Sequence, residues 1–154
     1  MPKRVKYSIG DVFLIPLNDD LYGVGRVIVR DNDSCLFEFY QVEPLRSHKE
    51  IVVEEIRNLP SVLTRWAFDD CLKSGTWPIV GNVPVGEDFV YPNFWTKSVD
   101  NKYYLIPGTN MQLGDTERIK EISEEETQYA QRYGIMSPES TPRQYIRALQ
   151  NSEK

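Results

Sequence analysis

Residues 11–42, DVFLIPLNDDLYGVGRVIVRDNDSCLFEFYQV, decide the fold. Asp11 to Leu17 reads as a strand apolar on both faces, the pattern of a small closed barrel or of a sheet covered on both sides. Pro16 has no N–H for a ladder, so the strand ends there or lies at an edge. Asn18-Asp19-Asp20 is an Asx-type turn, whose short side chains bond their own backbone. The chain resumes at Tyr22 and runs to Arg30 as a strand with Gly23 and Gly25 in alternate positions. Asp31-Asn32-Asp33-Ser34 makes a second turn, and Cys35 to Val42 a third strand with Phe37 and Phe39 on one face. This is the signature of an antiparallel three-stranded meander.

Working outward, Ile51, Val52, Val53 and Ile56 fit either a short strand or a helical turn, since periodicity over so few residues does not arbitrate. Val62 to Phe68 is a clearer strand. Asp69 to Gly75 reads as one or two helical turns, with Asp at the start and Gly just past the end. Trp77 to Val85 holds Pro78 and Pro84 and is an extended segment, Phe89 to Trp95 an aromatic loop, and Tyr103 to Ile106 the last good strand. From Asp115 the pattern turns helical. Ser123-Glu124-Glu125-Glu126 has the capping-box form, and Gly134 suits the C-terminal end of that helix. Thr141-Pro142-Arg143-Gln144 opens a short final helix.

Composition agrees. Among 154 residues, Val and Ile number 25, aromatics 18 and Ala only three, which favours sheet over helix. The expected fold is α+β: one domain over residues 1–154, mainly β in 1–113 and mainly helical in 114–154. A curved antiparallel sheet, in its closed form an SH3-like small barrel, should carry two C-terminal helices on one face. A hydrophobic content of 40% is too high for a disordered chain, and no apolar run approaches the ~18 residues of a membrane span. Lys3-Arg4-Lys6 before Val12 to Leu17 resembles a signal peptide, but Gly10-Asp11 interrupts it. Two cysteines without metal-binding spacing point to reduced thiols and a cytoplasmic location.

Candidate sites are sparse. His48 has no second His or Cys nearby, so no metal and no cofactor is expected. Cys35 lies in an apolar strand as a small hydrophobe, and Cys71 has no nucleophile signature. Gly23-Val24-Gly25-Arg26 is followed by no helix that would hold a phosphate, so the glycines make room for a crossing strand or a bulge. Arg26 then finds a carboxylate, Asp69 being the first choice. Asp69-Asp70 reads as a helix cap and a first-turn carboxylate rather than an acid–base pair. The aromatics around Trp66 and Trp77 are packing. Residues 61–110 carry four basic and five acidic side chains, which does not make a nucleic-acid groove.

The segments Tyr7 to Leu17, Tyr22 to Val27 and Trp66-Ala67-Phe68-Asp69-Asp70-Cys71-Leu72-Lys73-Ser74-Gly75-Thr76-Trp77-Pro78-Ile79-Val80-Gly81-Asn82 together resemble the immunity protein 26 family. That resemblance covers about two-thirds of the chain, to the strand near residue 106. It implies a small cytosolic protein of a bacterial polymorphic toxin system that protects its producer by binding the cognate toxin. Such sequences are also grouped with a small organophosphate hydrolase. An enzyme of that kind would draw on Asp69, Asp70, Glu87 and Asp88 for a hard cation.

On the immunity reading, Gly23, Gly25, Arg26, Asp69, Asp70 and Trp77 shape the fold. The partner is a basic toxin, a nuclease being one option, met without nucleic acid or membrane. A net charge of -5 would steer its approach. The contact surface is then expected in the turns holding Asp19, Asp20, Asp31 and Asp33 and in Glu87-Asp88, with Tyr91, Phe94 and Trp95 as aromatic anchors.

Overall fold

A computed structural model of the chain describes residues 4–18, 20–107 and 118–152. Strands β1 (Asp11–Pro16), β2 (Tyr22–Asp31) and β3 (Ser34–Tyr40) form the antiparallel meander. β4 (Ser61–Phe68) pairs antiparallel with β3, and the short β5 (Ile79–Asn82) with β1. Between β4 and β5 lies α1 (Asp70–Ser74), closed by Gly75 at φ 82°, a left-handed conformation that glycine adopts freely. The chain is α+β, and its main sheet stays open, in the order β10 (Ile135–Met136)-β4-β3-β2-β1-β5, instead of closing into a barrel.

Alternation assigns the faces. Phe13, Ile15, Val27, Cys35, Phe37 and Phe39 point to one side, where Trp77 stacks on Phe13 at 5.4 Å and meets Phe37 edge-on at 5.9 Å. Val12, Leu14, Val24 and Tyr40 point to the other, against Ile56 of a 3-10 turn at Val53–Asn58. Strand β1 is apolar on both faces because both are covered. Gly25 sits where a Cβ would come within 2.6 Å of the Phe13 ring, so the space is taken by a ring of the sheet itself, not by a crossing strand.

The C-terminal half departs from expectation. The segment read as an aromatic loop contains β6 (Asn93–Lys97), which pairs with β7 (Tyr103–Pro107). β8 (Lys120–Ile122) and β9 (Gln131–Arg132) complete a second, four-stranded sheet. Its Phe94 and Ile106 cover Ile28, Leu36 and Trp66 of the main sheet. The Ser123–Glu126 capping box does form, with both reciprocal hydrogen bonds at 3.1 and 3.2 Å. It opens only a 3-10 turn at Glu125–Tyr129 rather than a helix running to Gly134. The chain then feeds β9 and, through Gly134, β10 (Ile135–Met136), parallel to β4. One helix, α2 (Ser140–Ser152), packs on the Phe13 face, where two had been expected. The start of the expected helical region, at Asp115, lies outside the described residues.

Tyr145 fixes α2. Its ring fills the space left by Gly23, and its hydroxyl donates to the Tyr40 carbonyl at 2.5 Å and accepts from the Val24 N–H at 3.1 Å. Burial, before any other cause, holds the phenols of Tyr7, Tyr40 and Tyr145 protonated above the ordinary tyrosine range. Their folded values exceed the unfolded value of about 10, so this stabilisation is complete below pH ~10 and is lost as pH rises above it. Phenolate absorbance at 295 nm should therefore rise in two stages, the second coinciding with the loss of circular dichroism. A single step for all nine tyrosines, complete before unfolding, would contradict it.

Candidate interaction surfaces

At one end of the main sheet, Asp69 follows β4 and its N–H donates to the Asp33 carbonyl at 3.0 Å, tying the β2–β3 turn to the start of α1. Asp69 occupies the N-cap position, but at φ -95° and ψ 9° its carboxylate makes no cap hydrogen bond. It is fully buried, accepts from the Tyr7 hydroxyl at 2.5 Å, and lies 3.2 Å from the Lys73 ammonium. Lys73 also pairs with Asp33 at 3.0 Å, which draws the exposed Asp33 carboxyl below its usual range and raises the lysine. The Tyr7 hydroxyl lies 3.2 Å from Cys35 Sγ, and burial pushes that thiol up to about 11. The corner joins one buried and one exposed carboxylate through a single lysine. The expected cap at Asp69 is thus replaced by a bond to a tyrosine from the N-terminal segment. Asp70 does begin α1, as a first-turn carboxylate.

Arg26 does not reach Asp69. It faces the other side of the sheet, opposite Glu38 in the β2–β3 register, and pairs with it at 3.5 Å. Its second terminal nitrogen donates to the Val83 and Pro84 carbonyls at 3.3 and 3.5 Å. Alternation decides this, since Asp69 lies beyond the end of β4 while Glu38 is Arg26's cross-strand neighbour. The pair forms the floor of a groove of about 540 Å³ walled by Arg57, Asp88 and Phe89.

The residues expected to contact a partner do not form one surface. Asp20 is exposed at φ 60°, whereas Asp31 and Asp33 sit at the far end of the ten-residue β2, about 30 Å away at ~3.3 Å per residue. Asp19 lies outside the described residues. Glu87 and Asp88 are exposed in the loop over the Arg26–Glu38 groove. Tyr91 is 39% exposed and meets Phe89 edge-on at 5.2 Å. Phe94 is 1% exposed and belongs to the core, which removes it as an anchor. The strand that buries Phe94 turns its neighbour Trp95 to the opposite face, half-buried. There Trp95 meets Tyr103 at 5.8 Å, with Arg132 over the indole at 5.5 Å and Lys97 over the phenol at 5.6 Å. Tyr103, Lys97 and Arg132 were missed from sequence. The alternation of residues 93–97 was the available signal.

Among the described residues no group of three or more His, Cys, Asp or Glu is arranged to hold a metal ion. Asp69 and Asp88 lie on different parts of the fold, the first committed to Tyr7 and Lys73. No helix among the described residues is long and apolar enough to cross a membrane. The family described as Immunity protein 26 matches residues 8–105, which run from the segment before β1 into β7. No curated protein and no solved structure matches the chain.

Proposed function

The chain belongs to the immunity protein 26 family, and from that premise we propose that it binds and neutralises one cognate protein toxin, with no chemistry of its own. The match over residues 8–105 carries this reading, because it takes in the whole meander, β4, α1 and the Asp69–Lys73 pair, and begins one residue after Tyr7. The setting is a bacterial polymorphic toxin system and the location the cytoplasm of the producing cell. A net charge of -5, the exposed carboxylates at Asp20, Asp33, Glu87 and Asp88 and the half-buried Asp31 suit the approach of a basic toxin, a nuclease among the options. They are spread over separate turns, so they act as a field that raises the association rate more than as one contact patch.

Co-expression with the toxin-like gene beside its own should restore growth and yield a complex that co-purifies. Glu87→Lys combined with Asp88→Lys should slow association about tenfold at low salt, the difference shrinking as the Debye length falls to ~3 Å near 1 M. Growth rescue without a complex would overturn binding in favour of an enzyme that destroys a toxic product.

A further inference from the structure

The second sheet, β4 of the main sheet and α2 present cations outside the ion pairs of the described residues. The ion pairs among the described residues join Arg26 to Glu38, Lys73 to Asp33 and Asp69, and Lys102 to Glu121. Lys97, Arg132, Arg65 and Arg147 belong to none of them. Yet the first three are held in place. Lys97 and Arg132 bracket the Tyr103–Trp95 pair, and the Arg65 guanidinium donates to the Gln144 amide oxygen of α2. Gln144 and Arg147 line one groove of about 490 Å³ with Leu63 and Gln131, the residue before Arg132. Arg65 and Arg132 are near enough for mutual repulsion, and the Arg65 Nε is buried without an acceptor. A chain of net charge -5 has thus gathered positive charge on one side and left it uncompensated.

We propose that this strip, from Lys97 through Tyr103, Trp95 and Arg132 to Arg65 and Arg147, is the seat for a carboxylate-rich patch of the toxin. It rests on the reading of the chain as a toxin-binding protein. Trp, Tyr and Arg are the residues that dominate protein–protein hot spots. An arriving carboxylate relieves the Arg65–Arg132 repulsion and supplies the missing counter-charge. A protein occupant is favoured over single-stranded nucleic acid because the ring faces that bases would stack on are covered by Arg132 and Lys97, and the rings meet at 65°. The acidic turns then bring the toxin in, while the strip holds a local acidic region of it.

The test uses the full chain and the neighbouring gene's toxin, silenced at its own active site. Arg132→Glu and Arg147→Glu, each checked for unchanged melting temperature, should weaken the complex about 30-fold, mainly through faster dissociation. Glu87→Lys with Asp88→Lys should act on the association rate instead. Trp66 and Trp77 are 1% and 2% exposed, so Trp95 reports directly, and toxin binding should protect its fluorescence from acrylamide. Affinity within twofold for both arginine variants, with the complex otherwise intact, overturns the seat and leaves toxin binding standing. Failure of the unaltered chain to bind overturns both. Tighter binding of a thymidine 20-mer than of toxin, lost in Arg132→Glu, overturns the protein occupant.

Discussion

Tyr145→Ala should destabilise the protein by about 3–5 kcal/mol, the range for truncating a fully buried aromatic side chain. Two losses combine. The ring leaves a cavity over Gly23 and beside Phe39, its neighbour at 5.0 Å. The hydroxyl leaves the Val24 N–H and the Tyr40 carbonyl buried without that partner. Tyr145→Phe isolates the second loss and should cost about 1–2 kcal/mol. Gly23→Ala places a methyl group against the Tyr145 ring and should also destabilise. That penalty should shrink in the Tyr145→Ala background, where no ring has to move, which a double-mutant cycle by urea denaturation would show. Strictly additive effects would mean that Gly23 serves the strand rather than the helix. The point reaches beyond stability. The family match ends at residue 105, and α2 lies after it. A helix held by one tyrosine in a glycine notch of β2 is integral to the fold, and removing residues 140–152 should expose Phe39 and Leu63 and unfold the rest.

What was legible in the sequence depended on how local the determinant is. The meander could be read because apolar runs rich in β-branched and aromatic residues, cut by Asx-rich turns, are encoded within seven to ten residues, and β1 to β3 fall within a residue or two of where they were expected. The strands of two and three residues at 120–122, 131–132 and 135–136 exist because a partner strand is there to pair with. No periodicity can develop over that length. The helix expected after Ser123 shows the same competition. Its cap is correct, but Glu125–Tyr129 is followed by little apolar surface to bury, and pairing of Gln131 and Arg132 with β6 wins. Among the site residues, Arg26 was assigned the wrong carboxylate because its partner is set by strand register. The Lys97–Tyr103–Trp95–Arg132 strip joins three strands that local reading does not connect.

Asp69→Ala should cost about 3 kcal/mol, well above the ~1 kcal/mol that a lost helix cap would take away. The carboxylate is fully buried, and its removal strands the Tyr7 hydroxyl, 62 residues away in sequence, in a site that keeps only the weak Cys35 thiol as a neighbour. Lys73 retains Asp33 and is itself partly exposed, which keeps the loss below that of a wholly buried ion pair. Asp69→Asn keeps an acceptor for Tyr7 and should cost about half as much, whereas Lys73→Met, which leaves the buried anion without a cation, should match or exceed the alanine variant. Asp69 is fully buried, so neither Asp69 variant alters the exposed surface, and their toxin affinity measured at a temperature where they are folded should stay within twofold of the unaltered protein. The measurement is paired: denaturant midpoints for stability, and surface-immobilised toxin for binding. A midpoint shift of only ~1 kcal/mol for Asp69→Ala would restore the capping role that the sequence suggested. Unchanged stability with loss of growth rescue would instead make Asp69 a working carboxylate, and the Tyr7–Asp69–Lys73 corner a site of chemistry rather than the clamp between the β2–β3 turn and α1.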